Sequence, residues 1–437
     1  MSALETAAKR LLGAAEAAAD GGDPGWLQAH RREAREAFAE RGLPSTREEE
    51  WRYTSLAPLG ELELGPARAA ELGRDDLEAL ASPLFACSLF AFAGGRAVPE
   101  LSSAPGLPGG ARCDSLAALF ADGASDVAAR LGRHVDLKAH PFAALNSASL
   151  VDGAAVHGPR GDRLEQPLHL VFASAGRGEA SHPRTLVVAE AGSEMIVVQD
   201  HVSLGDEPGF TNSVTEVHVG AGAKVHLVVL QREHAEQVHV ANLQVRQERD
   251  SHFSSHTLSL SGRLVRNDLG CLLAGEGAFA SLDGLTVAGG ESVFDHHTEV
   301  DHAVAHCSSA ELYKGVLGGA ARGVFRGRVI VRPGAQKTDA SQSNPNLVIG
   351  AGAEVDTKPQ LEIYADDVKC SHGSTIGRLD ENALFYLRAR ALSEARAREM
   401  LTRAFALEVL ERLPGQGLSE GLDEAVGECL RRVGASS

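Results

Sequence analysis

Residues 215–231 read TEVHVGAGAKVHLVVLQ, and this stretch indicates how the middle of the chain folds. On both sides of the central glycine, apolar residues alternate with polar or small ones, which is the pattern of half-buried β-strands. The alternating apolar positions are Val217, Val219, Val225, Leu227 and Val229. The stretch therefore predicts two short strands joined by a tight turn at a glycine.

The same glycine pattern recurs along the middle of the chain. An apolar residue, two spacers, a glycine and a small residue occur around Gly192, Gly222, Gly277, Gly334 and Gly352. The gaps between these glycines are 30, 55, 57 and 18 residues, so the sequence has no strict repeat. Short strands that stack in turns and use glycine at their corners produce such a pattern. We expect a β-solenoid from about residue 140 to 370, with a β-sandwich as the alternative.

Helical patterns flank the predicted solenoid. Apolar residues fall at helical spacing in the first sixty residues and again after Asp380, whereas the signals between these regions are mixed and interrupted by proline. We therefore divide the chain into an N-terminal helical domain (1–60), a small α/β or irregular segment (61–140), the β-helix core (141–379) and a C-terminal helical domain (380–437).

Charge and cysteine content narrow the class of protein. The 437 residues include 42 Lys and Arg and 59 Asp and Glu, a formal net charge of −17, which argues against general nucleic-acid binding. The six cysteines form no Cys-x-x-Cys pair, which favours a reducing compartment. The sequence shows no signal-peptide pattern and no run near the roughly 20 apolar residues of a membrane span. We expect a cytoplasmic protein.

Common catalytic motifs are absent from the sequence. It contains no Walker A loop, no Gly-x-Ser-x-Gly elbow and no His-Glu-x-x-His helix. The adjacent carboxylates Asp366 and Asp367 would face opposite sides of a strand and so could not act as a pair. A β-helix enzyme that acts on polysaccharide is the alternative from a different class.

The segment Lys369-Cys370-Ser371-His372-Gly373 carries the clearest candidate chemistry. On an extended strand, Cys370 and His372 share a face. Lys369 and a protonated His372 would favour the Cys370 thiolate, the form that binds soft metals or attacks sulfur. The structural alternative is a buried cysteine beside a hydrogen-bonded histidine.

A histidine-rich segment, DHHTEVDH, spans residues 295–302 and is followed by His306 and Cys307. In an extended chain, His296, His302 and His306 would share one face and could present imidazole to a metal ion. However, His302 and His306 would lie about 13 Å apart on one strand, too far to bind one ion without a turn. We therefore favour structural hydrogen bonding for His296, His297, His302 and His306 over a metal site.

Residues 323–392 resemble the signature block of the SufB/SufD family, which belongs to the sulfur-mobilisation (SUF) system of iron–sulfur cluster assembly. Further similar segments are FAALNSASLVDG at 142–153, DHHTEVDH at 295–302 and GLPSTREEEWRYTSL at 42–56. The N-terminal segment and the Cys-Ser-His-Gly sequence are more similar to the SufD branch than to the SufB branch, which has a His-Glu-Ala type sequence in place of Cys-Ser-His-Gly.

The resemblance implies a right-handed parallel β-helix core with a helical domain at each end, and a scaffold rather than an enzyme. It implies pairing with a SufB-like paralogue and docking of SufC, the ABC-type ATPase of the system, and it leaves open whether the isolated chain forms a homodimer. The alternative within this class is a SufB-like primary sulfur acceptor.

The resemblance also implies the site residues. Cys370 and His372 match the family's cluster-assembly motif near the SufB interface, where they would handle metal or sulfur. An iron–sulfur cluster normally takes four protein ligands, so a transient cluster would be shared with the partner and none would bind tightly to the isolated chain. The ATPase-docking segment maps onto about residues 380–413, where the candidates are Phe385, Arg388, Arg390, Met400, Leu401 and Phe405. Helical spacing predicts that Met400, Leu401 and Phe405 lie on one apolar stripe together with Ala397 and Ala404.

Overall fold

The computed structural model describes residues 3–17, 23–66, 72–80, 88–102, 107, 110–176, 178–414 and 418–435. The helices in these ranges are α1 (Ala3–Ala17), α2 (Gly25–Arg41), α3 (Ala57–Glu61), α4 (Arg74–Leu80), α5 (Leu116–Ala121), α6 (Ser125–Arg130), α7 (Pro141–Ala148), α8 (Glu381–Arg388), α9 (Glu394–Leu410) and α10 (Leu418–Ala435). Short 3-10 helices span Glu49–Trp51 and Pro99–Leu101.

The strands are β1 (Gly65–Pro66), β2 (Ser88–Ala93), β3 (Arg96–Ala97), β4 (Arg112–Ser115), β5 (Ala154–Gly158), β6 (Leu168–Ser174), β7 (Glu179–Ser181), β8 (Arg184–Ala189), β9 (Glu194–Ser203), β10 (Phe210–Val219), β11 (Lys224–Gln231), β12 (Val238–Gln247), β13 (His252–Ser259), β14 (Leu264–Leu273), β15 (Phe279–Ala288), β16 (Val293–His302), β17 (Ser308–Leu317), β18 (Arg322–Val331), β19 (Asp339–Val348), β20 (Glu354–Ile363) and β21 (Lys369–Gly377).

These strands form two long sheets. Sheet A has the order β20-β18-β16-β14-β12-β10-β8-β5-β4, and sheet B has the order β21-β19-β17-β15-β13-β11-β9-β6-β2-β3. From β8 onward, each strand pairs in parallel with the strand two places ahead, as in β10 with β12 and β11 with β13. The chain therefore adds one strand to each sheet per turn. This confirms the predicted fold class: the protein is mainly β, with a solenoid of about eight turns and helices at both ends.

The space between the two sheets holds the main core. The apolar positions predicted to alternate in residues 215–231 all belong to this core, and Val217, Val225 and Leu227 are fully buried. Their polar or small neighbours along the strands lie on the opposite face, because successive side chains of a strand point to opposite sides.

The corners that lead from sheet A to sheet B repeat once per turn. In each of six successive turns, one residue at this corner has a positive φ. These residues are Gly192, Gly222, Asp250, Gly277, His306 and Lys337. Backbone hydrogen bonds join neighbouring corners, as from Gly192 N to Ala221 O at 2.9 Å and from Gly222 N to Arg249 O at 2.8 Å. Three of the five predicted corner glycines, Gly192, Gly222 and Gly277, therefore have the positive φ of a corner residue. Gly334 and Gly352 lie in turns but have no positive φ themselves.

Helices cover the outer faces of both sheets. The N-terminal helices and Trp51 pack on sheet A, against Phe210, Val238 and Leu264. Helices α9 and α10 pack on sheet B, where Val409 and Leu422 join a cluster of buried strand residues. None of the helices that the structure describes is long and apolar enough to cross a membrane.

The segment predicted as small α/β or irregular, residues 61–140, extends both sheets at one end. Strand β2 pairs in parallel with β6, and the antiparallel pairs β2–β3 and β4–β5 end the two sheets. Residues 67–71, 81–87, 103–106 and 108–109 of this segment lie outside the described residues.

Candidate functional site

Cys370 and His372 lie on β21, the last strand of sheet B. In the parallel register, Cys370 aligns with Ala340 and His372 aligns with Gln342, and both β19 residues are buried in the solenoid interior. Aligned residues of parallel strands lie on the same face, so Cys370 and His372 also face the interior side. Within the described ranges no strand covers β21, and therefore Cys370 is only half-buried and His372 is exposed.

The environment of Cys370 favours the thiol. The side chain packs beside an apolar cluster that includes Val329 and Ala335. Burial raises the pKa of Cys370, a hydrogen bond from the backbone of Ala340 opposes this shift, and the charge of Asp339 adds to it. The sequence-based expectation of a locally favoured thiolate is therefore wrong for the isolated chain. Only the thiolate is a strong ligand or nucleophile, and a nearby metal ion or positive charge would favour it at Cys370.

The remaining described cysteines do not extend this site. Cys271, Cys307 and Cys429 are buried free thiols whose pKa values are raised by burial, and Cys113 is a half-buried thiol with the same shift. Cys87 lies outside the described residues. In the part of the chain that the structure describes, no three His, Cys, Asp or Glu side chains are placed to hold a metal ion together. Cys370 and His372 thus form an incomplete site.

The histidine-rich segment forms β16 and its following corner. His296 and His302 face the interior, where their Nε2 atoms lie 2.9 Å from Thr286 Oγ1 and 2.9 Å from Ser309 Oγ. Burial lowers the pKa of each of these two histidines to about 4, so both are neutral at pH 7. His306 lies past the strand at a corner with φ 61°, so the predicted common face does not include it. The preferred interpretation, structural hydrogen bonding, agrees with these contacts.

On the outer face of β16, His297 belongs to an ionic network that joins the N-terminal domain to sheet A. Arg266 Nη1 donates to Asp295 Oδ2 at 2.7 Å and to the Glu50 carbonyl at 2.8 Å, and its guanidinium lies 3.8 Å from the Trp51 ring centroid. His297 Nε2 lies 3.0 Å from Asp295 Oδ1. Burial alone would raise the pKa of Asp295. The charges of His297 and Arg266 outweigh burial and hold this pKa well below its usual range. The network has a structural role.

A buried polar row that sequence reasoning missed lies behind His372. Thr298 Oγ1 donates to Glu311 Oε2 at 2.6 Å, and Gln342 Nε2 donates to Glu311 Oε1 at 3.1 Å. Burial raises the pKa of Glu311 to about 7, and its two hydrogen bonds only partly oppose this shift. The sequence did contain a signal, because Glu311 and Tyr313 occupy alternate positions of a strand whose inward side should be apolar.

The predicted ATPase-docking residues divide into two groups. Phe385 is 75% exposed and Met400 is 41% exposed, and Arg388 and Arg390 are exposed as well. In contrast, Leu401 and Phe405 are half-buried, and Phe405 packs against the helical cluster on sheet B with its ring centroid 4.2 Å from Lys314 Nζ. The prediction that these residues share one face is therefore wrong: Phe405 packs on the solenoid, whereas Met400 is exposed. Phe385, on the preceding helix, is exposed as well.

Fold and site together define a parallel β-solenoid protein that presents a cysteine and a histidine on its uncovered last turn. Comparison of the sequence with known protein families identifies the family within this class. Residues 171–405 match the family described as "SUF system FeS cluster assembly, SufBD core domain", and residues 6–170 match the "SufBD protein N-terminal region". The chain belongs to the SufBD family of the SUF system, as its resemblance indicated.

Individual relatives agree with this assignment. The chain is 33% identical to the iron–sulfur cluster assembly protein SufD of Escherichia coli, over 89% of this chain and 90% of the relative. It is 32% identical to an iron–sulfur cluster assembly SufBD family protein of Synechocystis, over 88% of this chain and 87% of the relative. A SufBD family protein of Mycobacterium tuberculosis is 30% identical over 88% of both chains. These comparisons do not support the alternative of a polysaccharide-acting enzyme.

Proposed function

We propose that this chain is a non-catalytic scaffold subunit of an iron–sulfur cluster assembly complex, and that it pairs with a SufB-like paralogue through the last turn of its solenoid. The observation that carries the proposal is the position of Cys370 and His372 on β21, where the outer strand edge is unpaired among the described residues. An unpaired edge with exposed apolar side chains favours pairing with another chain. Three such side chains, Ile363, Tyr364 and Ile376, lie on or beside β20 and β21.

The number of available ligands supports a site shared between two subunits. A cluster normally takes four protein ligands, and β21 offers at most Cys370 and His372. The raised pKa of Cys370 argues against the alternative in which this chain alone is the primary sulfur acceptor, since the free thiol is a weak nucleophile. A partner that brings iron or cations to the open end would favour the thiolate and complete the site.

A SufC-type ATPase would dock on the C-terminal segment, residues 380–413, in this proposal. Phe385 and Met400 offer exposed apolar contacts there, and Arg388 and Arg390 add positive charge to an acidic chain. Exposed aromatic and arginine side chains are typical anchors of protein interfaces.

The test of the proposed function is a His372→Ala variant of the complex purified with its partner subunits. We expect less iron and sulfide in the purified complex at unchanged subunit stoichiometry, because one ligand of the shared site is lost. Cys370→Ser should have an equal or milder effect. His302→Ala is the matched control: it removes a buried hydrogen bond and should lower the melting temperature without a specific loss of iron. Normal iron and sulfide in the His372→Ala complex would contradict the proposal.

A further inference from the structure

The orientation of the Gln342 side-chain amide is fixed by its neighbours. Thr298, Glu311 and Gln342 are each 3% exposed, so solvent cannot supply alternative partners. Gln342 Nε2 donates to Glu311 Oε1 at 3.1 Å, and Thr298 donates to the other oxygen of the same carboxyl group, so the Gln342 amide turns its NH₂ group toward Glu311. The carbonyl oxygen Oε1 then points away from Glu311.

This carbonyl oxygen is buried and has no hydrogen-bond partner in the described structure. An unpaired buried acceptor is unfavourable, so Oε1 is free to accept a hydrogen bond from a neighbouring side chain. Gly327 on sheet A cannot supply one: a Cβ at residue 327 would come within 1.9 Å of Gln342 Nε2. The glycine makes room for the amide and offers no side-chain donor.

The neighbour in register on the next strand of sheet B is His372. Adjacent strands lie about 4.8 Å apart, which is within reach of two long side chains on the same face. Neutral imidazole carries one N–H donor and one unprotonated nitrogen. When a carbonyl oxygen accepts the N–H, the tautomer and the ring orientation are fixed, and the other nitrogen is available to bind metal.

We propose that Gln342 is a positioning residue for His372: its Oε1 accepts the imidazole N–H and so directs the unprotonated ring nitrogen toward the metal at the open end. The inference rests on the proposed function of His372 as a ligand. Glu311 acts one step further back, because it accepts the hydrogen bond from Gln342 Nε2 and so holds the amide in the orientation that exposes Oε1.

The test measures ferrous iron binding, with sulfide present, by the purified complex of this chain and its partner subunits. Gln342→Leu removes the acceptor at similar volume and should weaken iron binding about 10-fold or more, as loss of a group that orients a metal ligand does. Thr298→Val is the matched control. It removes a hydrogen bond from the same row but leaves the amide fixed by Glu311, so iron binding should equal that of the wild type.

A swap of the two polar side chains separates positioning from packing. Glu311→Gln alone lets the Gln342 amide turn over, because two amides can pair in either sense, and iron binding should weaken. Adding Gln342→Glu to Glu311→Gln places a carboxylate beside His372 and an amide donor behind it. This double variant again presents an acceptor to His372, and its iron binding should return close to that of the wild type.

Each outcome is decisive when His372→Ala is measured in parallel. If His372→Ala binds iron normally, the proposed function fails. If His372→Ala loses iron while Gln342→Leu and Glu311→Gln bind normally, only the positioning role of Gln342 is overturned. Equal losses in Thr298→Val and Gln342→Leu, or a double variant that stays weak, would show that packing rather than positioning explains the effect.

Discussion

The carboxyl group of Glu311 is buried inside the solenoid, and its hydrogen-bond donors are neutral side chains. Thr298 and Gln342 each donate one hydrogen bond to it, and burial raises its pKa from 4.5 to about 7. The folded protein therefore binds the Glu311 proton more tightly than the unfolded chain does. The contribution of this group to stability is fully present below about pH 4.5 and is lost as the pH rises to about 7.

Glu311→Gln should therefore stabilise the protein more at pH 8 than at pH 5. The amide stays neutral, so the variant avoids the cost of ionising a buried carboxyl group, which is on the order of 3 kcal/mol at full ionisation. Urea unfolding at the two pH values measures the difference in free energy of unfolding from the wild type. Glu299→Gln on the outer surface is the control and should show a much smaller change with pH. A difference that is equal at both pH values would contradict the raised pKa.

The corners between sheet A and sheet B explain which part of the fold could be predicted from the sequence. Alternating apolar residues and recurrent glycines were sufficient to favour a solenoid. The repeat itself was hidden, because Asp250, His306 and Lys337 occupy the positive-φ position in turns where glycine was expected. The gap of 55 residues between Gly222 and Gly277 spans two turns, with Asp250 at the corner between them. A search for glycine alone therefore cannot detect the period.

The corner glycines should differ in their tolerance of substitution. Gly222 has φ 65° and no neighbour within 4 Å of an added Cβ, so Gly222→Ala should cost about 1–2 kcal/mol from backbone conformation alone. Gly334 has equally open space but no positive φ, so Gly334→Ala should be neutral or slightly stabilising. Chemical denaturation of both variants measures this contrast. Equal effects would mean that the corner position does not determine the outcome.

The C-terminal helices show which features of the docking segment could not be predicted from the sequence. Helical spacing placed Met400, Leu401 and Phe405 on one stripe, but it could not tell which part of the stripe packs on sheet B. That depends on Lys314, whose Nζ donates to the Phe405 carbonyl at 3.0 Å from a strand 91 residues away in sequence. The same limit applies to Gln342 and His372, because their alignment depends on the register between β19 and β21.

Phe385 and Phe405 offer a matched pair for testing the docking segment. Phe385→Ala should abolish capture of the SufC-type ATPase and leave the melting temperature unchanged, because the side chain is 75% exposed. Phe405→Ala should lower the melting temperature through lost packing and spare ATPase capture. Pull-down and thermal unfolding of the two variants separate the effects. ATPase capture by Phe385→Ala at the wild-type level would exclude Phe385 from the docking surface.

The whole molecule has two unlike ends. At one end, the antiparallel pairs β2–β3 and β4–β5 end both sheets. At the other end, β20 and β21 are the outermost described strands of sheets A and B, and every residue of β21 except Cys370 is exposed. Solenoids need a polar cap or a partner at each end, since uncovered strand edges associate with other chains. The end formed by β20 and β21 is therefore where the proposed paralogue would complete the core.

Ile376 on β21 allows a test of whether a second subunit covers this end of the solenoid. It aligns with the buried Asn346 and is 55% exposed on the uncovered strand, so a covering subunit would bury it. Ile376→Asp should prevent association with the SufB-like paralogue, because the interface would have to bury an unpaired charge. The same substitution should leave the melting temperature of the isolated chain unchanged. Phe385→Asp is the reciprocal control, and it should retain the paralogue while losing the ATPase. The measurement is the mass of co-expressed complexes by light scattering after size-exclusion chromatography. An intact pair with Ile376→Asp would place the subunit interface elsewhere on the molecule.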